Sequence, residues 1–152
     1  FGLTIHPTKT RLVSFRRPNY NQKSGKGHGT FDFLGLTHFW ARSRKGYWVI
    51  KRKTVTKRLH RTMKALWLWC RLNRHRPLKD QYRMLCQKLL GHYQYYGIRE
   101  NFRMLEKVYR HAEKAWRYWL DRRSRKKAMP WDKFVRMLQD FPLPRPRIVQ
   151  PI

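Results

Sequence analysis

Six cationic side chains recur every three or four residues in the second half of the chain, and we call them the cationic ridge. They are Arg99, Arg103, Lys107, Arg110, Lys114 and Arg117. This spacing gathers them on one face of an α helix, roughly 180° from the apolar positions of the same segment. Solvated helix faces usually mix charges of both signs. An all-cationic line therefore favours contact with nucleic-acid phosphates over the alternative, a plain solvated surface.

Acidic and aromatic residues accompany the ridge. Glu106 and Glu113 lie four residues before Arg110 and Arg117, a spacing that predicts an ion pair for each. Past the helix end the charge continues through Arg122, Arg123, Arg125, Lys126 and Lys127. Such a cluster is also typical of a nuclear-localisation signal, and the sequence does not separate the two interpretations. Tyr95 and Tyr118 fall outside the apolar stripes, so we expect them to be available for stacking on bases.

The overall composition fits an anionic partner. Lys and Arg number 37 against 8 Asp and Glu, a net charge of +29, while 41% of residues are hydrophobic and 15% aromatic. A disordered basic tail would be poor in aromatic residues, so we expect a folded, strongly basic domain. No apolar run reaches the ~18 residues of a membrane span, and no secretory signal is visible. We therefore expect a cytoplasmic, bacterial-type intracellular protein without a membrane partner, an organelle being the alternative.

Metal chemistry is not expected in this chain. Cys70 and Cys86 lack the paired spacing of zinc ligands and are interpreted as reduced core thiols, a disulfide being the less favoured alternative. Two-metal catalysis needs several carboxylates at one small site, and the eight acidic residues are scattered. The sequence predicts no metal ligand and no resident cofactor.

The first 53 residues read as β structure. Residues 11–15 predict a short strand, and Phe31–Trp40 predicts a longer one with Gly35 in its middle, either as a bulge or as a point of close approach. Ser43–Gly46 supplies a turn and Tyr47–Arg52 returns, which predicts a β-hairpin.

From Thr54 the apolar period changes to that of helices. Three apolar stripes follow one another: Val55, Leu59, Met63, Leu66 and Cys70, then Leu78, Tyr82, Leu85, Leu89, Tyr93 and Tyr96, then Leu105, Val108, Ala112, Ala115 and Trp119. We expect Thr54 to cap a first helix ending near Arg74, a second helix from about Leu78 to Gly97, and a third from about Arg99 to Arg123. Short connections favour an antiparallel three-helix bundle. A short helix with apolar positions Trp131, Phe134, Val135 and Leu138 follows, then an extended proline-rich tail. The expected fold is α+β, divided into residues 1–53, 54–127 and 128–152.

Four segments, in order along the chain, resemble landmarks of group II intron reverse transcriptases, also called maturases. They are Leu3–Thr10, Phe31–Leu36, Gly91–Gly97 (GHYQYYG) and Phe141–Ile148. The resemblance covers essentially the whole chain. The first two segments occur widely among reverse transcriptases, whereas the third is much more specific to the intron-encoded group.

The resemblance implies a role for each part. Residues 1–53 would be the end of a polymerase palm, with Lys9 assisting the incoming nucleotide or the leaving pyrophosphate. Phe33, Leu34 and Gly35 would be the primer grip. The helices would be the thumb, or maturase domain X, which grips template–primer duplex and intron RNA. The complete polymerase, an RNA-directed DNA polymerase, would use Mg²⁺.

The family's catalytic Tyr-x-Asp-Asp motif is absent from this chain. We therefore expect the chain alone to be inactive and to act as the RNA-binding C-terminal part of such an enzyme, supporting splicing and cDNA synthesis. Its partners would be intron RNA, template–primer duplex, DNA in that duplex, and an upstream palm and fingers region of the same or a separate chain. The alternatives are a free-standing basic RNA-binding structural protein, and a polymerase of the same family attached to a CRISPR system.

Overall fold

A computed structural model describes residues 12–21, 29–123 and 129–150. Within these ranges the fold is α+β, with a three-stranded antiparallel sheet followed by four α helices. The elements are β1 (Phe31–Phe33), β2 (Leu36–Arg42), β3 (Trp48–Thr54), α1 (Thr56–Asn73), α2 (Leu78–Tyr96), α3 (Phe102–Asp121) and α4 (Trp131–Asp140), with a 3₁₀ turn at Arg99–Asn101 before α3. Two compact units meet in sequence at Lys53 and Thr54.

The N-terminal unit is built on the sheet, in the order β1-β2-β3. The predicted β2–β3 hairpin is confirmed, and its turn is closed by the Ser43 amide, which donates to the Tyr47 carbonyl at 2.8 Å. Gly46 has φ +83°, a left-handed conformation that glycine adopts without a steric penalty. The guanidinium of Arg42 lies over the buried Trp48 ring, 4.6 Å from its centroid.

The segment predicted as one strand over Phe31–Trp40 is instead two strands joined by a tight turn. Phe33 pairs with Leu36, and the two residues between them, Leu34 and Gly35, have φ values of +49° and +78°. Two central residues with positive φ are what a two-residue hairpin needs to match the twist of its strands. Gly35 is therefore neither a bulge nor a mid-strand residue.

The strand predicted over residues 11–15 is not present in residues 12–15, which have no regular structure. Ring contacts of Phe15, and not strand hydrogen bonds, connect this segment with the sheet. Phe15 packs edge-on against Phe31 and is stacked on Trp40, with centroid distances of 4.9 and 5.4 Å.

In the C-terminal unit, α1 and α2 both pack on α3. The buried positions follow the predicted apolar stripes: they include Leu59, Leu66 and Cys70 of α1, Leu85, Leu89, Tyr93 and Tyr96 of α2, and Leu105, Val108, Ala112 and Ala115 of α3. Trp116 and Leu120 complete the buried face of α3, and Trp119, predicted there, is only half-buried. No helix in the described ranges is both long and apolar enough to traverse a bilayer.

Thr54 does not cap α1. It is the last residue of β3, and Val55 occupies the cap position without a side-chain hydrogen bond. Thr54 is instead buried against Asn101, whose Oδ1 accepts from the Thr54 amide at 2.8 Å and whose Nδ2 donates to Thr54 Oγ1 at 2.8 Å. The Thr54 hydroxyl therefore bonds with Asn101, 47 residues away, and the local sequence around Thr54 gives no sign of this contact.

The short C-terminal helix and the extended tail are both present. In α4, Phe134 and Met137 are buried, whereas Val135, predicted on the apolar face, is 38% exposed. The tail lies against α2: the Tyr93 hydroxyl donates to the Pro144 carbonyl at 3.1 Å, and the Gly97 carbonyl accepts from the amides of Val149 and Gln150 at 2.8 and 3.0 Å.

Candidate nucleic-acid interface

The cationic ridge runs along one side of α3. Arg103, Lys107, Arg110 and Lys114 are exposed on the helix, and Arg99 is exposed in the 3₁₀ turn that precedes it. Arg117, in contrast, is only partly exposed. Successive side chains three or four residues apart on a helix are about 5–6 Å apart at Cβ. The ridge is therefore a continuous line of positive charge.

Acidic neighbours neutralise only part of this line. Glu106 Oε1 accepts from Arg110 at 2.6 Å, which confirms the first predicted pair. The second predicted pair, Glu113 with Arg117, is not formed. Glu113 is instead hydrogen-bonded to Tyr109. Burial is the larger cause, and this hydrogen bond the next, that raises the pKa of Tyr109 to about 12.

Three cations of the ridge are exposed on α3 itself and have no carboxylate within 4 Å in the described part of the chain. They are Arg103, Lys107 and Lys114. Because no internal ion pair has to be broken, these three are the ridge members best placed to meet an external phosphate.

A cavity of about 500 Å³ opens beside the ridge, between α3 and α4, and we call it the α3–α4 cavity. The residues lining it combine cations with apolar and aromatic groups: Arg110, Glu113, Lys114, Arg117, Tyr118, Asp121, Arg122, Met129, Trp131 and Phe134. The arrangement resembles what single-stranded nucleic acid needs, a charged track for the backbone beside surfaces on which bases stack.

Trp131 is the aromatic wall of this cavity. The residue is 56% exposed, although the sequence pattern predicts it on the apolar face of the last helix. The guanidinium of Arg117 lies over it, 4.5 Å from the ring centroid. The core position of this helix is taken by Phe134, which packs edge-on against the buried Trp116 at 6.4 Å.

Tyr118 is less available than predicted. Its ring centroid is 4.7 Å from that of Trp67, and the Arg122 guanidinium lies 3.4 Å from the same centroid. Arg122 also donates to the Tyr118 carbonyl at 3.2 Å, and Arg123 donates to the Arg76 carbonyl at 3.3 Å. These two arginines remain exposed but each has one donor committed within the chain.

Of the remaining predicted site residues, Tyr95 belongs to the C-terminal unit and Phe33, Leu34 and Gly35 belong to the N-terminal unit. Tyr95 is exposed on α2, edge-on to Tyr96 at 4.6 Å, and does not line the α3–α4 cavity. Phe33, Leu34 and Gly35 lie at the end of β1 and in the tight turn after it, where Phe33 is 58% and Leu34 67% exposed. Lys9 and Arg125, with the rest of 1–11 and 124–128, lie outside the described residues.

Positive charge also lines α1, outside the residues predicted to bind RNA. Lys57, Arg61, Lys64 and Arg71 are exposed at steps of four, three and seven residues, and α1 contains no Asp or Glu. The same spacing rule that finds the ridge would have found this second line. The cationic surface is therefore broader than one helix face.

The described residues offer no place for a polymerase metal pair. Within 12–21, 29–123 and 129–150, no three His, Cys, Asp or Glu side chains converge. Asp32, on β1, accepts from the Thr37 hydroxyl at 2.6 Å. The carboxylates described here do not fit a two-ion site.

Both cysteines are free thiols. Burial raises the pKa of Cys70 to about 12, with a smaller opposing effect from Lys88. A thiol that stays protonated at neutral pH is a poor nucleophile, so Cys70 is interpreted as a core residue.

Comparison of the chain with protein-family models, with curated proteins and with solved structures finds no match.

Proposed function

We propose that this chain binds RNA through the cationic ridge and the adjoining α3–α4 cavity. The observation that carries the proposal is the line Arg103, Lys107 and Lys114, exposed and without carboxylate partners beside a cavity walled by Trp131. Each phosphate bound by such a side chain releases condensed counterions, which supplies affinity that depends steeply on salt.

The cavity adds a preference for unpaired nucleotides. Its volume of about 500 Å³ lies in the range of ligand pockets, and the exposed ring of Trp131 offers a surface on which a base can stack. Bases accessible in this way occur in the loops, bulges and ends of folded RNA. A loop whose backbone follows α3 could therefore place one base against Trp131.

We further propose that the chain acts as the C-terminal part of a group II intron-type reverse transcriptase or maturase, as the four resembling segments imply. In that role the helices would hold intron RNA and template–primer duplex. The exposed turn at Phe33, Leu34 and Gly35 would contact the primer. An upstream palm would supply the catalytic aspartates and bind Mg²⁺.

The first experiment measures the affinity of the full chain for a fluorescein-labelled 30-nucleotide RNA hairpin at several salt concentrations. Replacing Arg103, Lys107 and Lys114 together by Gln should weaken binding and reduce the slope of log K against log salt by about 2–3. The matched control replaces Lys79, Arg83 and Arg136, exposed cations that line none of the cavities described here. Equal effects of the two triple variants would contradict the ridge assignment.

The second experiment separates the maturase role from the structural alternative. A folded group II intron transcript and an unrelated folded RNA of equal length compete for the chain at physiological salt. We expect a maturase to bind the intron at least about tenfold more tightly, because the affinity of a protein for its specific nucleic-acid site usually exceeds its nonspecific affinity by much more than this. Equal competition would favour a free-standing basic RNA-binding protein.

A further inference from the structure

A second cavity lies between α3 and the C-terminal tail, and we call it the α3–tail cavity. Its volume of about 390 Å³ is within the range of ligand pockets. The lining includes two aromatic rings, two carboxylates and two guanidinium groups: Phe102, Tyr109, Glu106, Glu113, Arg110 and Arg145. Arg110 belongs to the cationic ridge, and Arg110 and Glu113 also line the α3–α4 cavity. An RNA strand held on the ridge would therefore lie beside the α3–tail cavity.

The groups that line this cavity are accessible from solvent. Phe102 is 42% exposed, Arg145 is exposed, and the side chain of Glu106 is 42% exposed. The tail backbone next to Arg145 is anchored, because the Tyr93 hydroxyl donates to the Pro144 carbonyl at 3.1 Å. A ligand that follows α3 can therefore reach the cavity at the surface, and the anchored tail forms one of its walls.

Glu113 is the carboxylate of this cavity that has no cationic partner. Its predicted partner, Arg117, lies over Trp131, and in the described residues no cationic nitrogen lies within 4 Å of the Glu113 carboxylate. Tyr109 donates its hydroxyl to Glu113, and with a pKa of about 12 this hydroxyl stays protonated at neutral pH. A carboxylate has about four lone-pair sites, so Glu113 can still accept two further hydrogen bonds.

Opposite charges line the cavity without pairing across it. The guanidinium of Arg145, on the tail, is more than 4 Å from the carboxylate of Glu113, on α3. Glu106 is already paired with Arg110 at 2.6 Å. A phosphate would be attracted by Arg145 but repelled by the two carboxylates. A planar group with hydrogen-bond donors on one edge and acceptors on another edge matches both sides of the cavity.

We propose that the α3–tail cavity receives an unpaired guanine of the bound RNA: Glu113 accepts from N1–H and the N2 amino group, Arg145 donates to O6 and N7, and the base stacks on Phe102. The Watson–Crick edge of guanine presents two adjacent donor groups, whereas that of adenine, cytosine or uracil presents one. Arginine bound to O6 and N7 is the commonest specific contact to guanine in DNA complexes. The proposal rests on the proposed RNA binding and adds a base preference to it.

The first test uses the wild-type chain and RNA hairpins that share one stem and a five-nucleotide loop of uridines with one variable base. Guanine at that position should be bound at least about fivefold more tightly than adenine, cytosine or uracil, the lower end for one bidentate base contact. Inosine, which lacks the N2 amino group, and 7-deazaguanine, which lacks N7, should each be bound more weakly than guanine. Equal affinities for all six loops would overturn the guanine assignment while leaving ridge-dependent RNA binding intact.

Two variants then assign the contacts. Glu113→Gln replaces one acceptor by a donor and should remove most of the preference for guanine over inosine. Arg145→Gln should remove most of the preference for guanine over 7-deazaguanine, and each variant should keep the other preference. Each preference is a ratio of affinities measured with one protein, so a general effect of net charge cancels.

The matched controls are Asp140→Asn and Arg147→Gln, which remove the same charges at exposed residues that do not line the cavity. Both controls should keep both preferences. Survival of either preference in the variant meant to remove it, or its loss in a control, would overturn the proposal. If the wild-type chain binds none of the hairpins at low salt, the proposed function fails together with this inference.

Discussion

The guanidinium carbon of Arg117 lies 4.5 Å from the ring centroid of Trp131. This contact connects the last residue of the cationic ridge, on α3, with α4. The contact covers part of one cation and leaves 56% of the tryptophan exposed. Charge and an aromatic surface therefore meet at the wall of the α3–α4 cavity. Arg117 is better described as a residue that orients Trp131 than as a free phosphate ligand.

Replacing Trp131 by Ala should weaken binding of the RNA hairpin by about 1–3 kcal/mol, the usual contribution of one base stacked on an aromatic side chain. Trp131→Phe should retain part of this because a ring remains. Fluorescence anisotropy at fixed salt measures both. Tyr47→Ala, which removes an aromatic ring that is also 56% exposed but belongs to the β2–β3 turn, is the control. A loss as large for Tyr47→Ala would argue against a stacking site at Trp131.

Glu106→Gln should strengthen RNA binding. The substitution releases Arg110 from its 2.6 Å ion pair and adds it to Arg103, Lys107 and Lys114, the exposed cations of α3 that have no carboxylate partner. The salt slope should steepen by about 0.7–0.9, one additional phosphate contact. Because the pair is well exposed, thermal stability should change little. Asp140→Asn makes the same change in net charge at the end of α4, and an equal gain there would indicate that only net charge matters.

Two glycines should respond oppositely to alanine. A Cβ at Gly97 would collide with the Tyr93 carbonyl oxygen and come within 3.0 Å of the Arg147 carbonyl oxygen, so the tail would have to move. We expect Gly97→Ala to lower the free energy of unfolding by about 2 kcal/mol or more. At Gly91, inside α2, a Cβ meets nothing within 4 Å, and Gly91→Ala should stabilise by up to about 1 kcal/mol. Urea unfolding of both variants measures this, and a stable Gly97→Ala variant would contradict the described packing of the tail.

Stability should fall as the solution is acidified below the usual pKa of histidine. The pKa of His92 is about 4 in the folded chain against 6.5 for an ordinary histidine, so between these values the unfolded chain binds a proton that the folded chain excludes. The free energy of unfolding is therefore highest above about pH 6.5 and decreases as the pH falls towards 4. Burial also lowers the pKa of His111, and this shift adds to the same loss of stability in acid. The hydrogen bond between His111 and the Met63 carbonyl opposes the shift.

The measurement is the urea midpoint of unfolding at neutral pH and at about pH 5, where most carboxylates remain ionised. His92→Leu should narrow the difference between the two midpoints, and His60→Leu, which replaces an exposed histidine of α1, should leave it unchanged. If His92→Leu kept the whole pH dependence, the neutral buried state of this imidazole would be refuted.

Helix boundaries were the most predictable part of the fold because local signals set them. Pro77 precedes α2 and Gly97 follows it, and both ends agree with the sequence expectation. The turn through Gly46 was likewise visible as a short polar segment between two β-type runs.

Two kinds of feature were not predictable: a turn built on an unusual residue type, and contacts fixed by distant partners. Leucine gives no signal for a left-handed turn, so the residue types over Phe31–Trp40 predict one continuous strand and not the turn at Leu34. Thr54 has the right residue type for a helix cap, but its bond to Asn101 depends on how the elements pack. The same holds for the site: periodicity located the ridge, whereas the cavities beside Trp131 and Arg145 exist only where α3 meets α4 and the tail.

The most direct measurement of the central claim is a cross-linking map. A folded RNA hairpin carrying 4-thiouridine in its loop is irradiated with the wild-type chain, and the modified peptides are identified by mass spectrometry. We predict that the dominant cross-links fall within Phe102–Asp121 and Trp131–Asp140, the helices that form the ridge and the α3–α4 cavity. Cross-links confined to α1 or to the β-sheet would contradict the account.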